Sequence, residues 1–431
     1  MDTNLLIAAD KRHLWHPFTQ MKSWCAPEHD PLVLVEGAGA ILRDSEGREY
    51  IDGNSSIWTN IHGHCHPAIN AAIKSQLDKV AHVSFLGSTN IPAIELAGKL
   101  AGCFPPRTLT RIFYSDDGST AVEVAVKLTL QYWQLCDRPA KTRFATFENA
   151  YHGDTTGAAS LGGVGTFSSR FSAIHFPVER IANIDALPTL DPDRLAAVII
   201  EPLVQGAAGI RLWPPGMLKA LRAWCDAHNV LLIFDEVLTA FGRTGRLFAC
   251  EHESVLPDFL CLAKGLSGGY LPLAATLTTD RVFNAFLGEY DELKTFFYGH
   301  SYCGNPLGCV AALASLNIFQ EEGTLETLKG RIPLLRELLD SLRALPNVSE
   351  IRQCGYIAGI EIQEGDGKPF PWQNQVGARV CLAARQHGLL TRPILDTIVL
   401  IPPLCATQEQ LERAINAIRR AIREVCEKPS R

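Results

Sequence analysis

The sequence predicts an α/β fold: a large domain on a mostly parallel sheet of about seven strands, with a smaller α+β domain made from both ends of the chain. Three observations carry this. Short apolar runs without alternation, at residues 230–234 and 259–263, suit strands buried on both faces. Those two runs empty into Asp235-Glu236 and into Lys264-Gly265, as strands do at the carboxyl edge of a parallel sheet. From Gly323 onward the pattern turns to charged amphipathic helices between short strands. The expected division is residues 1–60 as the N-terminal part of the small domain, 61–322 as the large domain, and 323–431 as the C-terminal part of the small domain.

Composition narrows the class of function. The 431 residues suffice for a large core, and 47% hydrophobic with 20% charged residues is ordinary for a globular protein. A formal charge of −6 without basic clusters excludes the usual nucleic-acid footprint. No apolar run approaches the roughly 20 residues of a membrane span. The first residues lack the basic and apolar regions of a secretion signal. Thirteen scattered cysteines, none spaced C-x-x-C, point to reduced thiols in a cytoplasm.

Taken in order, residues 32–36, 40–43 and 49–53 form a small β-meander around the turn at Asp44-Ser45-Glu46-Gly47. The stretch 57–67 holds His62, His64, His66 and Cys65. Alternate positions without a second ligand cluster make a poor tetrahedral site, so no metal is expected. That stretch reads as a loop entering a helix over 68–80. Residues 112–114 are a strand, and 121–133 are a helix preceded by Asp117-Gly118-Ser119-Thr120. Thr120 and Glu123 have the spacing of a capping box. Strands follow at 143–147 and 196–200, separated by Tyr151-His152-Gly153 and a Gly/Ser-rich stretch, 161–169, that reads as a mobile loop. Helices are expected at 308–320, 327–345 and 408–427, and a strand at 357–362.

The chemistry lies in what the strand ends present. A lysine and an acid at one sheet edge suit pyridoxal phosphate. The amine forms a Schiff base with the aldehyde, and the carboxylate pairs with the ring nitrogen so that the ring accepts carbanion electrons. The glycine-serine turn at Gly118 and Ser119 opens a helix whose free N–H groups and dipole suit a phosphate. Singly, each feature also reads as a solvated charge or a plain helix start.

Together with Phe241-Gly242-Arg243-Thr244-Gly245-Arg246, these residues resemble the signature of the class III (omega) aminotransferases of PLP fold type I. The resemblance covers nearly the whole chain. It implies Lys264 as the cofactor lysine and general base, and Asp235 as the partner of the ring nitrogen. It implies Gly118 and Ser119 at the phosphate, and Tyr151 of Tyr151-His152-Gly153 beside the ring. Trp58 and Ile57 would border the substrate pocket, and Arg392, before Pro393, would take a substrate carboxylate. Residues 294–306 are similar to a segment that crosses to a second copy in a homodimer. There Ser301, with Gly299 and His300 beside it, would reach the neighbour's cofactor phosphate.

The string His13-Leu14-Trp15-His16-Pro17 is similar to one branch, which makes 7,8-diaminononanoate from 8-amino-7-oxononanoate on the way to biotin. Ala207 stands where the ornithine and γ-aminobutyrate branches carry a glutamate, which counts against those branches. The amine donor implied is S-adenosylmethionine, with lysine as the alternative donor; the alternative for the reaction as a whole is that of another class III ω-aminotransferase. Phe18 and Ile57 replace a tyrosine and a tryptophan common in adenosylmethionine users, and the loss of aromatic surface weakens contact with a sulfonium cation.

Overall fold

The computed structural model describes residues 2–426, the side chain of Ser168 apart. Seven strands form the central sheet in the order Leu109–Ser115, Ala274–Thr279, Phe259–Leu262, Leu231–Asp235, Leu195–Ile200, Arg143–Phe147, Val178–Ile181. Ala274–Thr279 pairs antiparallel with both of its neighbours, and the remaining pairs are parallel. Every residue of Leu195–Ile200, Leu231–Asp235 and Phe259–Leu262 is buried, which is why these runs show no polar alternation. One apolar cluster fills the face towards Gly118–Leu135, including Val124, Ile199 and Phe259. A second continues from the other face into the C-terminal helices.

Besides the central sheet there are two four-stranded sheets, the first of which joins the two ends of the chain. Leu34–Ala38, Ile41–Asp44 and Glu49–Asp52 form the expected meander, and Leu389–Leu390 adds a fourth strand parallel to Glu49–Asp52. Val348–Cys354, Ile357–Ile362, Thr397–Leu400 and Pro393–Ile394 form the other. No helix among the described residues is long and apolar enough to cross a membrane.

Three local expectations need correction. Residues 161–169 are not an irregular loop: Thr156–Leu161 and Gly165–Ser168 are short helices, and Arg180 binds the carbonyls of Ser160 and Gly162 between them. Asp117, not Thr120, caps Gly118–Leu135: its carboxylate accepts from the Thr120 N–H while the Thr120 hydroxyl accepts from Asp117. Glu123 instead accepts from the Thr155 hydroxyl and the Gly157 N–H. The helix expected over 327–345 is Thr324–Asp340, and Leu345, before Pro346, is disfavoured from helical backbone. The last helix is Gln408–Cys426; Glu427, also expected in it, lies outside the described residues.

Candidate active site

A cavity of about 790 Å³ opens above the carboxyl edge of the central sheet. Its floor is the end of three neighbouring strands. Asp235 closes Leu231–Asp235, level with Cys261 of the next strand, and Lys264 lies just beyond that strand's end. The parallel register therefore sets acid and amine side by side. Glu201 follows Leu195–Ile200 on the other flank and also faces the cavity.

The two floor carboxylates are fixed from behind. Nδ1 of the buried His152 lies 2.8 Å from Asp235 Oδ2, where its N–H donates to the carboxylate. The Val237 N–H donates to Oδ1 at 3.1 Å. Glu201 accepts from the N–H groups of Tyr151 and Gly206, at 3.0 and 2.9 Å. Burial pushes its carboxyl up to about 7, helped by Asp235 and opposed by His152 and these two N–H groups.

Lys264 has left-handed backbone, φ 42°, and no hydrogen-bond or ion-pair partner among the described residues; its amine sits 4.6 Å from the centre of the Trp58 ring. Burial lowers its pKa, with Arg243 adding to the effect and Asp235 and Glu201 opposing it. The amine is thus moved towards the neutral form that a nucleophile or base requires.

Gly118 and Ser119 form another wall at the start of Gly118–Leu135, an 18-residue helix. The Ser119 hydroxyl accepts from Asp154 N–H at 3.0 Å. At Gly153, φ 125°, an added Cβ would lie 2.1 Å from that hydroxyl, so only glycine lets the two segments approach. Tyr151 donates its hydroxyl to Asp154 at 2.7 Å and shows its ring to the cavity.

Phe18, Ile57, Trp58 and Arg392 line the upper part. The Arg392 guanidinium is exposed and has no ion pair among the described residues, and Ala207 on the same cavity offers it no carboxylate. Gly299, His300 and Ser301 are not on this wall. His300 lies behind it, with Nδ1 2.7 Å from Asp116 and Nε2 3.0 Å from the Tyr298 hydroxyl.

The sequence reading missed the roles of His152 and Glu201, although both were visible beside expected residues. It also missed Phe167, whose ring meets Phe18 edge-on at 5.5 Å and Tyr151 at 5.9 Å. A lone aromatic among the glycines and serines of 161–169 was the available signal. The three histidines of the 57–67 stretch each have a separate partner: Ser315, Asp52 and Glu322. No group of three metal-ligating side chains occurs among the described residues.

These walls fit pyridoxal phosphate by their chemistry. An unpartnered, half-buried amine, a carboxylate held on its rear side, a helix start and an aromatic ring converge on one space.

Comparison with known proteins agrees. Residues 24–422 match the family of class-III aminotransferases. The chain is 46% identical to the adenosylmethionine-8-amino-7-oxononanoate aminotransferase of Geobacter sulfurreducens, over 98% of each chain. Among solved structures, the enzyme of that name from Methanocaldococcus jannaschii superposes with a TM-score of 0.95 at 40% identity, covering 98% of this chain and 100% of the other. A PLP-bound amine transaminase from an uncultivated Pseudomonas species gives 0.89 at 31% identity, covering 96% and 99%.

Proposed function

This chain belongs to the class III aminotransferases, with pyridoxal phosphate as cofactor, and from that premise we propose that it moves an amino group from S-adenosylmethionine to 8-amino-7-oxononanoate, giving 7,8-diaminononanoate for biotin synthesis. The observation that carries the reading is the Lys264 amine, unpartnered and beside Asp235 on the floor of a cavity whose upper part presents Arg392.

The cofactor supplies an aldehyde for the lysine amine and a ring that takes up electrons from the reacting carbon. Lys264 Nζ takes the proton from the donor's α-carbon and later returns one, a role suited to its lowered pKa. The Asp235 carboxylate, oriented by His152, holds a proton on the ring nitrogen. Gly118 and Ser119 would hold the cofactor's phosphate, and Tyr151 would offer its ring to the cofactor's. Arg392 orients the acceptor by its carboxylate.

The proposed unit is a cytoplasmic homodimer, in which Ser301, flanked by Gly299 and His300, serves the partner's phosphate. The exposure of Ser301 and its neighbours Phe297 and Tyr302 supports this. Mixing Lys264→Ala with Ser301→Ala protomers should leave one site with both residues intact and wild-type cofactor affinity. A mixture with no such site shows Ser301 acting within its own chain.

Lysine is the second reading for the donor, favoured by Ile57 and Phe18 at the pocket. Phe167 returns an aromatic edge to the same cavity and supports S-adenosylmethionine. Following the cofactor's absorbance with each donor decides it: conversion by lysine and not by millimolar S-adenosylmethionine refutes the donor proposed here.

A further inference from the structure

Four consecutive non-glycine residues beside the cavity have left-handed backbone. Ser55, Ser56, Ile57 and Trp58 have φ of 45°, 48°, 67° and 70°. They form one left-handed turn, closed by the Trp58 N–H donating to the Asn54 carbonyl at 2.8 Å. L-residues avoid this region, a β-branched one such as Ile57 most of all. Such a turn persists only where its surroundings over-determine it.

They do so from three directions. Asp52, buried at the end of Glu49–Asp52, accepts from the Ser56 N–H at 2.9 Å and the Ser56 hydroxyl at 2.8 Å, with His64 Nε2 2.9 Å away on the same carboxylate. The Ser55 hydroxyl donates to the Ile401 carbonyl at 2.6 Å. Arg243 closes the far end. Its side chain is 0% exposed and has no carboxylate within ion-pair range among the described residues. Nη1 donates to the Pro402 carbonyl at 2.7 Å, and Nη2 to those of Asn60 and Trp58, at 2.9 and 3.3 Å. Burying a guanidinium with no carboxylate in direct contact is costly, even with Asp52 acting on it from farther off, and apolar packing would fasten a loop as well. What the planar fork adds is simultaneous reach to two segments, 58–60 and 401–402, in a fixed geometry.

The turn delivers two side chains to the reacting space. The Trp58 ring faces the Lys264 amine, and behind it Gly206 sits so close that a Cβ there would lie 3.2 Å from the ring. Ile57 stands 43% exposed on the cavity wall. We propose that Arg243 and Asp52 are positioning residues for the donor half-reaction: they hold residues 55–58 in a strained turn that fixes the Trp58 face against the lysine and sets Ile57 on the cavity wall. This rests on the aminotransferase reading of the cavity. It adds that the wall is kept under strain, so relieving that strain at Ile57 trades substrate affinity for stability.

The test compares loaded wild-type enzyme with Ile57→Gly, Ser56→Ala and Arg243→Lys at equal protein concentration. Ile57→Gly relieves the strain, so its melting temperature should rise by about 1–2 °C. Its apparent KM for S-adenosylmethionine, or for lysine if that proves the donor, should rise about fivefold, with the limiting rate changed much less. Ser56→Ala and Arg243→Lys should raise the same KM while lowering the melting temperature, with cofactor content unchanged. A donor KM unchanged in Ile57→Gly, or wild-type kinetics in folded Arg243→Lys, overturns the proposal; if Arg243→Lys does not fold, Ile57→Gly and Ser56→Ala decide. A wild-type enzyme inert to both donors refutes the proposed donor half-reaction instead. In that case a melting temperature of Ile57→Gly below wild type refutes the strained turn separately.

Discussion

At the carboxyl edge of the central sheet, Asp235, Glu201 and Lys264 stand at the ends of adjacent strands whose residues are buried on both faces. At the rim of the same cavity, Phe18, Ile57, Phe167 and Arg392 arrive from four separate segments, and Phe18 is 61% exposed. The edge places its groups by strand register and fastens its two carboxylates with buried hydrogen bonds. The rim places its groups by short connecting segments and, at Ile57, by strain. Register tolerates no drift, so the edge suits steps common to every substrate. Loops change one at a time, so the rim suits the choice of substrate.

The comparison breaks if an edge variant spares one half-reaction or a rim variant abolishes both. Lys264→Ala should have the largest effect, lowering both halves by about 10⁴-fold or more. Borohydride reduction followed by peptide mapping checks the assignment, and a label on another lysine overturns it. Asp235→Asn should come next, with both halves slowed about 10²-fold by single-turnover kinetics.

Arg392→Ala tests the rim. Truncating a charge pair costs about 2 kcal/mol at the lower end of the usual range, so the acceptor KM should rise about 30-fold. The donor half-reaction should hold nearly constant; equal loss in both halves would place Arg392 with the edge.

The last expected effect is on stability and leaves the reaction itself aside. The Glu201 carboxyl titrates at about 7 in the folded chain against 4.5 ordinarily. Folded protein therefore binds the extra proton between those values, and the stability this gives is full below about 4.5 and lost as pH rises through 7. The loss amounts to about 3 kcal/mol. Glu201→Gln should flatten the melting-temperature profile between pH 5 and 7; an unchanged slope would show Glu201 ionised throughout.

The edge was legible in the sequence because burial on two faces leaves an unbroken apolar run, and the polar residue that ends it marks the edge. Residues 143–147 and 357–362 were also placed to the residue. The rim was legible only through resemblance. Nothing in Ser55-Ser56-Ile57-Trp58 signals a left-handed turn, because its cause lies in Asp52, Arg243 and the carbonyls of residues 401 and 402. The capping reading at Thr120 failed because two acids, Asp117 and Glu123, were available, and spacing alone does not say which turns back on the helix.

One pairing has a consequence for how the molecule comes into being. Leu389–Leu390 lies against Glu49–Asp52, and the Ser55 hydroxyl reaches the carbonyl of Ile401. A chain emerging from the ribosome thus exposes Asp235 and Lys264 long before the residues that finish the cavity wall exist. Closing so long a loop is slow compared with forming helices and neighbouring strands. The catalytic floor is early and the wall is late, so synthesis itself withholds a complete site until nearly the whole polypeptide has been made.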